Sequence, residues 1–156
     1  MQRLNLPSFQ FNIKNSENKQ FIFDIIRKKY VILHPEEWVR QHLIHYLITE
    51  KGYPKSLIAV EKQLTINRLK KRFDILVFNT KGHPEMIVEC KSPTVAITQK
   101  TFDQISRYNL ELNATHIMVS NGLQHYYCKL DNNSRQYVFL NEIPNYHGKK
   151  DNFSEG

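Results

Sequence analysis

Two carboxylates and a lysine interrupt two apolar segments of the chain, and these residue types together could support metal-dependent chemistry. Asp74 lies in residues 72–78, whereas Glu89 and Lys91 lie in residues 86–91. Apart from these three residues and Arg72 at the start of the first segment, both segments are apolar on both faces, which is typical of a strand buried on both sides. Burial of an unpaired ion costs several kcal/mol or shifts its pKa until the group is neutral, so two buried carboxylates require a cation. These residues therefore predict a metal-dependent active site.

Alternation along the second strand determines which side chains share a face. Glu89 and Lys91 are two residues apart, so they lie on one face, about 6–7 Å apart along the strand, while Cys90 points to the other face. Asp74 lies on the preceding strand, so its carboxylate can meet that of Glu89. Mg²⁺ binds one or two carboxylates with water and phosphate oxygens, and the backbone carbonyl of Cys90 could add a neutral ligand. Lys91 would orient or deprotonate the attacking water and offset charge on a phosphate.

The elements around these residues predict one mixed α/β domain with a central sheet. Short strands at 21–26 and 30–33 precede a helix that Pro35 opens and residues 52–54 end. Beyond the two charged strands, the pattern predicts strands at 56–66, 116–120, 126–130 and 136–140 and a helix at about 98–113. The expected boundaries are an irregular N-terminal arm at 1–18, a single domain at 19–145 and a flexible C-terminal tail at 146–156.

Charge and composition favour a nucleic-acid partner over a membrane. The chain of 156 residues carries a net charge of +7, with 40% hydrophobic residues, and its pI is about 9.4. Such a balance suits a polyanion. Lys70, Lys71 and Arg72 lead directly into the Asp74 strand, where they form either a phosphate-binding track or a solvated turn.

The cysteines and the apolar runs suggest a location in the cytoplasm. Two cysteines, Cys90 and Cys128, form no disulfide framework and have no zinc-site spacing, so buried free thiols are expected. The N-terminal residues lack the pattern of a signal peptide. No apolar run approaches the roughly 20 residues that a membrane span requires.

The charged strands and their neighbours resemble a known family. Phe73-Asp74 followed by Glu89-Cys90-Lys91 looks like the core of the PD-(D/E)xK nuclease superfamily. The wider frame resembles the N-terminal nuclease domain of type I restriction enzyme R subunits over roughly residues 21–145. The matching segments are 35–41 (PEEWVRQ), 52–54 (GYP), 88–93 (VECKSP) and 104–108 (QISRY). One departure is Phe73, which stands where the family usually has proline.

This resemblance implies a restriction-endonuclease-like core, a central mixed β-sheet flanked by helices, with a C-terminal β-hairpin. It also implies that a glutamate of the first helix joins the metal ligands, Glu36 being the better match and Glu37 the alternative. Gln104 and Tyr108 lie one helical turn apart and face the same way. By resemblance, this pair contacts DNA or supports the catalytic lysine.

The activity implied is that of a Mg²⁺-dependent DNA endonuclease, with Mn²⁺ as a substitute cofactor. DNA is the expected partner, and the resemblance admits other restriction-modification subunits as partners. The sequence contains no Walker phosphate loop, so ATP-driven translocation would need another subunit.

Simpler interpretations remain open for each of these residues. Asp74 and Lys91 could form a structural ion pair, and Glu36 or Glu37 could be an ordinary charge in the first turn of a helix. Gln104 could be a surface amide and Tyr108 a core residue. The alternative function is a non-cleaving nucleic-acid-binding or assembly module with the same fold.

Overall fold

Two β-sheets and two long helices make up the computed structural model, which describes residues 1–146. The first sheet is small and antiparallel, with the strands β1 (Ile13–Ser16), β2 (Lys19–Asp24) and β3 (Lys29–Ile32). The second sheet has six strands in the order of the chain: β4 (Ile58–Ile66), β5 (Leu69–Phe78), β6 (Pro84–Cys90), β7 (His116–Ser120), β8 (His125–Leu130) and β9 (Tyr137–Leu140). The long helices are α1 (Pro35–His45) and α2 (Gln99–Leu112).

The six-stranded sheet is mixed, as the sequence predicted. Its neighbouring strands are antiparallel except β6 and β7, which run parallel. Parallel neighbours need a crossover connection, and α2 lies within that connection. The chain ends this sheet with the expected hairpin of β8 and β9, in which Tyr127 pairs with Leu140.

The hydrophobic core has a layer on each face of this sheet. Ile75 and Val88 pack with Val39 and Leu43 of α1 on one face. Leu76 and Ile87 pack with Ile105 of α2 on the other face. All four of the strand residues are 0% exposed, which confirms that β5 and β6 are buried on both sides.

Helix α1 begins and ends where local chemistry favours it. The Nδ1 atom of His34 accepts a hydrogen bond of 3.3 Å from the backbone N–H of Glu37, and Pro35 occupies the first turn. After His45 the chain widens into a π-helical turn (Tyr46–Glu50). Gly52 then adopts a φ of 78°, a left-handed conformation that ends the helical path.

The N-terminal arm that the sequence predicted as irregular at 1–18 contains one strand. Residues 13–16 form β1, because their backbone pairs with β2 although all four side chains are exposed. Leu4 is buried at 6% exposure, and the N–H of Asn5 donates a hydrogen bond of 2.8 Å to the carbonyl of Gly122. This segment is therefore packed against the domain.

The predicted C-terminal tail at 146–156 falls almost entirely outside the described residues. Of it, the structure describes Tyr146, whose N–H donates a hydrogen bond of 2.8 Å to the carbonyl of Lys51. Among residues 1–146, no helix is both long and apolar enough to cross a membrane.

Candidate active site

Strands β5 and β6 bring Asp74, Glu89 and Lys91 together. The backbone N–H of Cys90 donates a hydrogen bond of 2.8 Å to Oδ2 of Asp74, so the aspartate ties the two strands together at this point. The Nζ atom of Lys91 lies 3.4 Å from Oε1 of Glu89, and the Lys91 side chain is one-third exposed. Cys90 is 0% exposed and packs in the α1-side core. Alternation thus separates Cys90 from Glu89, as the sequence predicted.

Glu36 is the helix glutamate that faces this group. Burial raises the pKa of Glu36, and the charge of Asp74 raises it further, while Lys91 is among the cations that lower it. Electrostatic effects of this kind require that the groups lie close together. Glu36 at the start of α1 therefore lies near Asp74, and Asp74 in turn acts on Glu89; these three carboxylates, linked through Asp74, are called here the acidic cluster.

Glu37 is instead held in a buried ion network. Its Oε1 atom accepts hydrogen bonds of 2.8 Å from Arg27 and from Arg40, and Gln41 donates to its Oε2 atom at 3.1 Å. The residue is 3% exposed. Between the two glutamates that the sequence left open, the geometry favours Glu36 as the site residue and gives Glu37 a structural role.

Arg40 connects this network to the site, and the sequence interpretation missed it. The residue is 5% exposed, and its Nη2 atom donates to Oδ1 of Asp74 and to Oε1 of Glu61, both at 2.9 Å. Arg40 occupies the helix position that lies three and seven residues before Leu43 and Leu47. A cation on that apolar stripe was the signal that could have identified it.

Glu61 is the second residue that the sequence interpretation missed. It lies within β4, where its backbone φ of 55° is left-handed. Such a conformation costs about 1–3 kcal/mol and recurs at functional sites. Its carboxylate contacts Arg40 and lies 3.6 Å from Nη1 of Arg72. No sequence pattern indicates a left-handed glutamate inside a strand.

Helix α2 forms the opposite wall of a cleft at Glu89. Gln104 and Tyr108 both line this cleft together with Phe73 and Lys71, so the predicted pair shares one face of α2. The Nζ atom of Lys71 lies 5.2 Å from the ring centroid of Tyr108 and 5.6 Å from that of Phe73. Lys71 therefore points into the cleft.

The other two members of the predicted basic track lie differently. Lys70 is exposed, and the Arg72 side chain is 62% exposed with Glu61 as its nearest carboxylate. Alternation along β5 explains the difference, because neighbouring residues point to opposite faces. Of the three, Lys71 is the one that borders the cleft.

The electrostatics of the site favour a cation among its carboxylates. Burial raises the pKa of Glu89, and the neighbouring Asp74 charge raises it further, against the opposing effects of Lys71 and Lys91. Repulsion between carboxylates is the condition that a divalent ion relieves.

The oxygen donors also suit such an ion. Each carboxylate oxygen can accept two hydrogen bonds, and each oxygen of Asp74 receives one from Arg40 or Cys90, which leaves one lone pair on each. Within residues 1–146 no three His, Cys, Asp or Glu side chains group closely enough to hold a metal by themselves. Asp74 and Glu89 are two carboxylates, and Mg²⁺ in proteins takes one or two carboxylates and completes its shell with water and phosphate oxygens.

Comparisons with known proteins give the site a context. A family model described as the N terminus of the type I restriction enzyme R protein matches residues 35–144, which contain every site residue described above except Arg27. No curated protein matches the chain.

A solved structure shares the fold. It is a fragment described as an HsdR subunit of a type I restriction enzyme from Vibrio vulnificus YJ016, with a TM-score of 0.54 and 20% sequence identity. The match covers 72% of this chain and 24% of that chain, so the present chain spans about a quarter of that structure's length. This similarity agrees with the restriction-endonuclease-like core predicted from the sequence.

Proposed function

The chain belongs to the family of type I restriction enzyme R protein N termini, and from this premise we propose that it is a metal-dependent DNA endonuclease domain. The reaction would be hydrolysis of a phosphodiester bond. The observation that carries the proposal is the acidic cluster of Glu36, Asp74 and Glu89 beside Lys91. Burial and the nearby Asp74 charge raise the pKa of both Glu36 and Glu89, and glutamates perturbed in this way next to a lysine are characteristic of sites that bind a metal and move protons.

Asp74 and Glu89 would hold Mg²⁺, or Mn²⁺ in its place, with Glu36 as a further ligand and the backbone carbonyl of Cys90 as a neutral one. The ion would supply a water of lowered pKa and neutralise charge on the phosphate. Arg40 and the Cys90 N–H restrain both oxygens of Asp74, so the carboxylate is oriented before any ion arrives. Such restraint from outside the ligand set is typical of metal sites.

Lys91 would orient the attacking water and take or share its proton. Its side chain is one-third exposed and reaches Glu89 at 3.4 Å, so it can contact both the acidic cluster and the solvent. Lys71 faces the same carboxylate from the α2 side and would neutralise charge that develops on the phosphate.

DNA would enter along the cleft between β5 and α2. Gln104 and Tyr108 would contact the backbone there, and Arg72 and Lys70 would contribute charge from the exposed side of β5. Phosphate contacts of this kind position a duplex without reading its sequence. Sequence specificity and any motor would lie outside residues 1–156.

Nicking of supercoiled plasmid in Mg²⁺ tests the proposal. The Lys91→Ala variant should cut at least about a hundredfold more slowly than the unmodified chain, because it lacks the proposed general base. Lys81→Ala, in the exposed turn between β5 and β6, is the matched control and should cut normally. The proposal fails if Lys91→Ala cuts at the unmodified rate.

A non-cleaving DNA-binding module is the second possibility, and the ion pair between Asp74 and Arg40 favours it, because a cation of the chain itself already neutralises this carboxylate. An aspartate retained only for the fold would be held in this way. That function predicts DNA binding that weakens with salt but is insensitive to EDTA and to Asp74→Ala. Nicking that is abolished both by EDTA and by Asp74→Ala would exclude the non-cleaving module.

A further inference from the structure

The small sheet has an outer face that combines aromatic rings with lysines. In its register, Lys14 pairs with Phe21 and Phe21 with Ile32, while Phe23 pairs with Tyr30. Paired residues of antiparallel strands project to the same side, so these five side chains form one surface, called here the aromatic face. Ile22 and Asp24, which alternate with Phe21 and Phe23 along β2, point inward and are 0% exposed.

The aromatic face lies outside both hydrophobic cores. Tyr30 is 39% exposed and Ile32 is 51% exposed, and Phe21 and Phe23 are half-buried. The rings of Phe23 and Tyr30 lie edge to face, with centroids 5.2 Å apart. Contiguous exposed apolar side chains on a polar rim mark an interaction site.

The charges around the aromatic face select a polyanion as its partner. Four exposed lysines belong to the small sheet and its turns: Lys14, Lys19, Lys28 and Lys29. Glu17 is exposed in the β1–β2 turn, while the other acidic residue, Asp24, is buried against Arg27. The Nζ atom of Lys14 lies 4.1 Å from the ring centroid of Tyr30, so a cation already rests on the ring surface.

Successive ion pairs connect this sheet to the proposed active site. Arg27, in the turn between β2 and β3, contacts Asp24 and Glu37 at 2.8 Å. Glu37 also pairs with Arg40 at 2.8 Å, and Arg40 bonds Asp74. The turn that carries Lys28 is thereby fixed against the first turn of α1, the element that presents Glu36.

We propose that the aromatic face binds single-stranded DNA, with bases stacked on Tyr30 and Phe23 and phosphates on Lys14 and Lys19. An unpaired base has a free ring surface, whereas the bases of a duplex are already stacked on one another. A base on Tyr30 takes the place of the Lys14 ammonium, which moves to the adjoining phosphate. The inference deepens the proposed function, on which it rests for the identity of the substrate as DNA.

Fluorescence anisotropy with a labelled oligothymidylate, in EDTA and with the full chain, tests this inference without any cleavage. Tyr30→Ala should weaken binding about tenfold, the usual effect of losing one stacked base, while Tyr30→Phe should bind like the unmodified chain. Phe139→Ala is the matched control, since Phe139 is a 63% exposed ring on β9 at the far edge of the large sheet. It should leave the affinity unchanged.

The lysines have their own readout in the same assay. The double variant Lys14→Gln, Lys19→Gln should show a shallower fall of log affinity with log salt. The magnitude of the slope should decrease by about 1.4, since each phosphate contact contributes about 0.7 on a single strand. Lys129→Gln, an exposed lysine of β8, is the control. A slope that stays unchanged in the double variant contradicts the phosphate contacts.

The outcomes separate this inference from the proposed function. If the chain binds the oligothymidylate through Tyr30 but does not nick DNA, the proposed endonuclease activity is overturned and binding of single-stranded DNA by the aromatic face is supported. If the chain nicks DNA but the Tyr30→Ala variant binds the oligothymidylate within twofold of the unmodified chain, the proposal for the aromatic face is overturned. Tighter binding of a duplex that Tyr30→Ala weakens, self-association through Tyr30, or absence of oligothymidylate binding also overturns the proposal for the aromatic face. Circular dichroism of Tyr30→Phe and Tyr30→Ala excludes misfolding as the cause of a loss.

Discussion

Arg40 occupies a helix position where the apolar stripe of α1 would otherwise continue, and it is surrounded by carboxylates. It makes ion pairs with Glu37, Glu61 and Asp74 at 2.8–2.9 Å. Burial lowers the pKa of the Arg40 guanidinium, but the charges of Glu37 and Asp74 outweigh that effect and raise the pKa above its ordinary value. One side chain thus joins the buried network of the helix to the aspartate of the proposed site.

Replacement of Arg40 should therefore be costly. We expect Arg40→Met to lower the free energy of unfolding by about 3–5 kcal/mol, because it removes the cation paired with the buried Asp74 and leaves Glu37 with Arg27 as its counter-ion. Urea denaturation measures this loss. Arg72→Met is the control, since the 62% exposed Arg72 side chain should contribute less than about 1 kcal/mol. If Arg40→Met and Arg72→Met lowered the free energy of unfolding equally, the ion pairs of Arg40 would not be the source of this stability.

Glu89 gives the site a dependence on pH. Because its pKa in the folded chain is raised, the protonated form favours folding, and stability falls as the pH rises through that raised value. Glu89→Gln should therefore raise the Tm at pH 8 relative to the unmodified chain and have little effect at pH 4. Thermal unfolding followed by circular dichroism at the two pH values measures the difference.

Divalent ions provide the complementary measurement on Glu89. Mg²⁺ or Mn²⁺ should raise the Tm of the unmodified chain at pH 8, since it relieves the repulsion between carboxylates, and should have no such effect on Glu89→Gln. Glu85→Gln, at the other end of β6, is the control and should respond like the unmodified chain. A stabilisation by the ion that persists in Glu89→Gln would place the ion elsewhere.

At the scale of elements, the contact between the N-terminal segment and the β7–β8 turn depends on one glycine. Gly122 has a φ of 86°, and a Cβ built there would lie 2.8 Å from Cδ2 of Leu4 and 3.0 Å from Cγ2 of Val39. Gly82 has a similar φ of 82°, but nothing lies within 4 Å of its Cβ position. The two glycines share a backbone constraint and differ in packing.

A comparison of Gly122→Ala with Gly82→Ala isolates that packing. Gly82→Ala should lower the free energy of unfolding by about 1–2 kcal/mol, the cost of a left-handed alanine. Gly122→Ala should lower the free energy of unfolding by about 1–3 kcal/mol more than Gly82→Ala does, because the added methyl group displaces Leu4 or Val39. Urea denaturation measures both. A Gly122→Ala loss no larger than that of Gly82→Ala would mean that the N-terminal segment moves aside freely.

At the scale of the whole molecule, the parts predictable from the sequence are those with a strong local pattern. Apolar runs broken by single charged residues identified β5 and β6, and alternation placed Glu89 and Lys91 together. Helical spacing identified the face of α2 that carries Tyr108. In each case the signal and the structure depend on residues within a few positions of one another.

The parts that could not be predicted depend on contacts distant in sequence. Strand β1 has no apolar alternation, since its four residues are exposed and it exists through backbone pairing with β2. The contact of Arg40 with Glu61 joins residues that are 21 positions apart, and the left-handed φ of Glu61 has no sequence marker. Tertiary interactions override local propensity at such positions.

The parallel pairing of β6 with β7 has a consequence for the order in which the chain folds. The β5–β6 hairpin carries Asp74 and Glu89 and can form from local contacts, whereas β7 must return across the whole α2 connection before it can pair. Loop closure of that length delays non-local pairing. A partly folded chain would therefore hold Asp74 and Glu89 on adjacent strands before the Gln104 wall of the cleft is in place, so the proposed site is complete only once β7 has paired with β6.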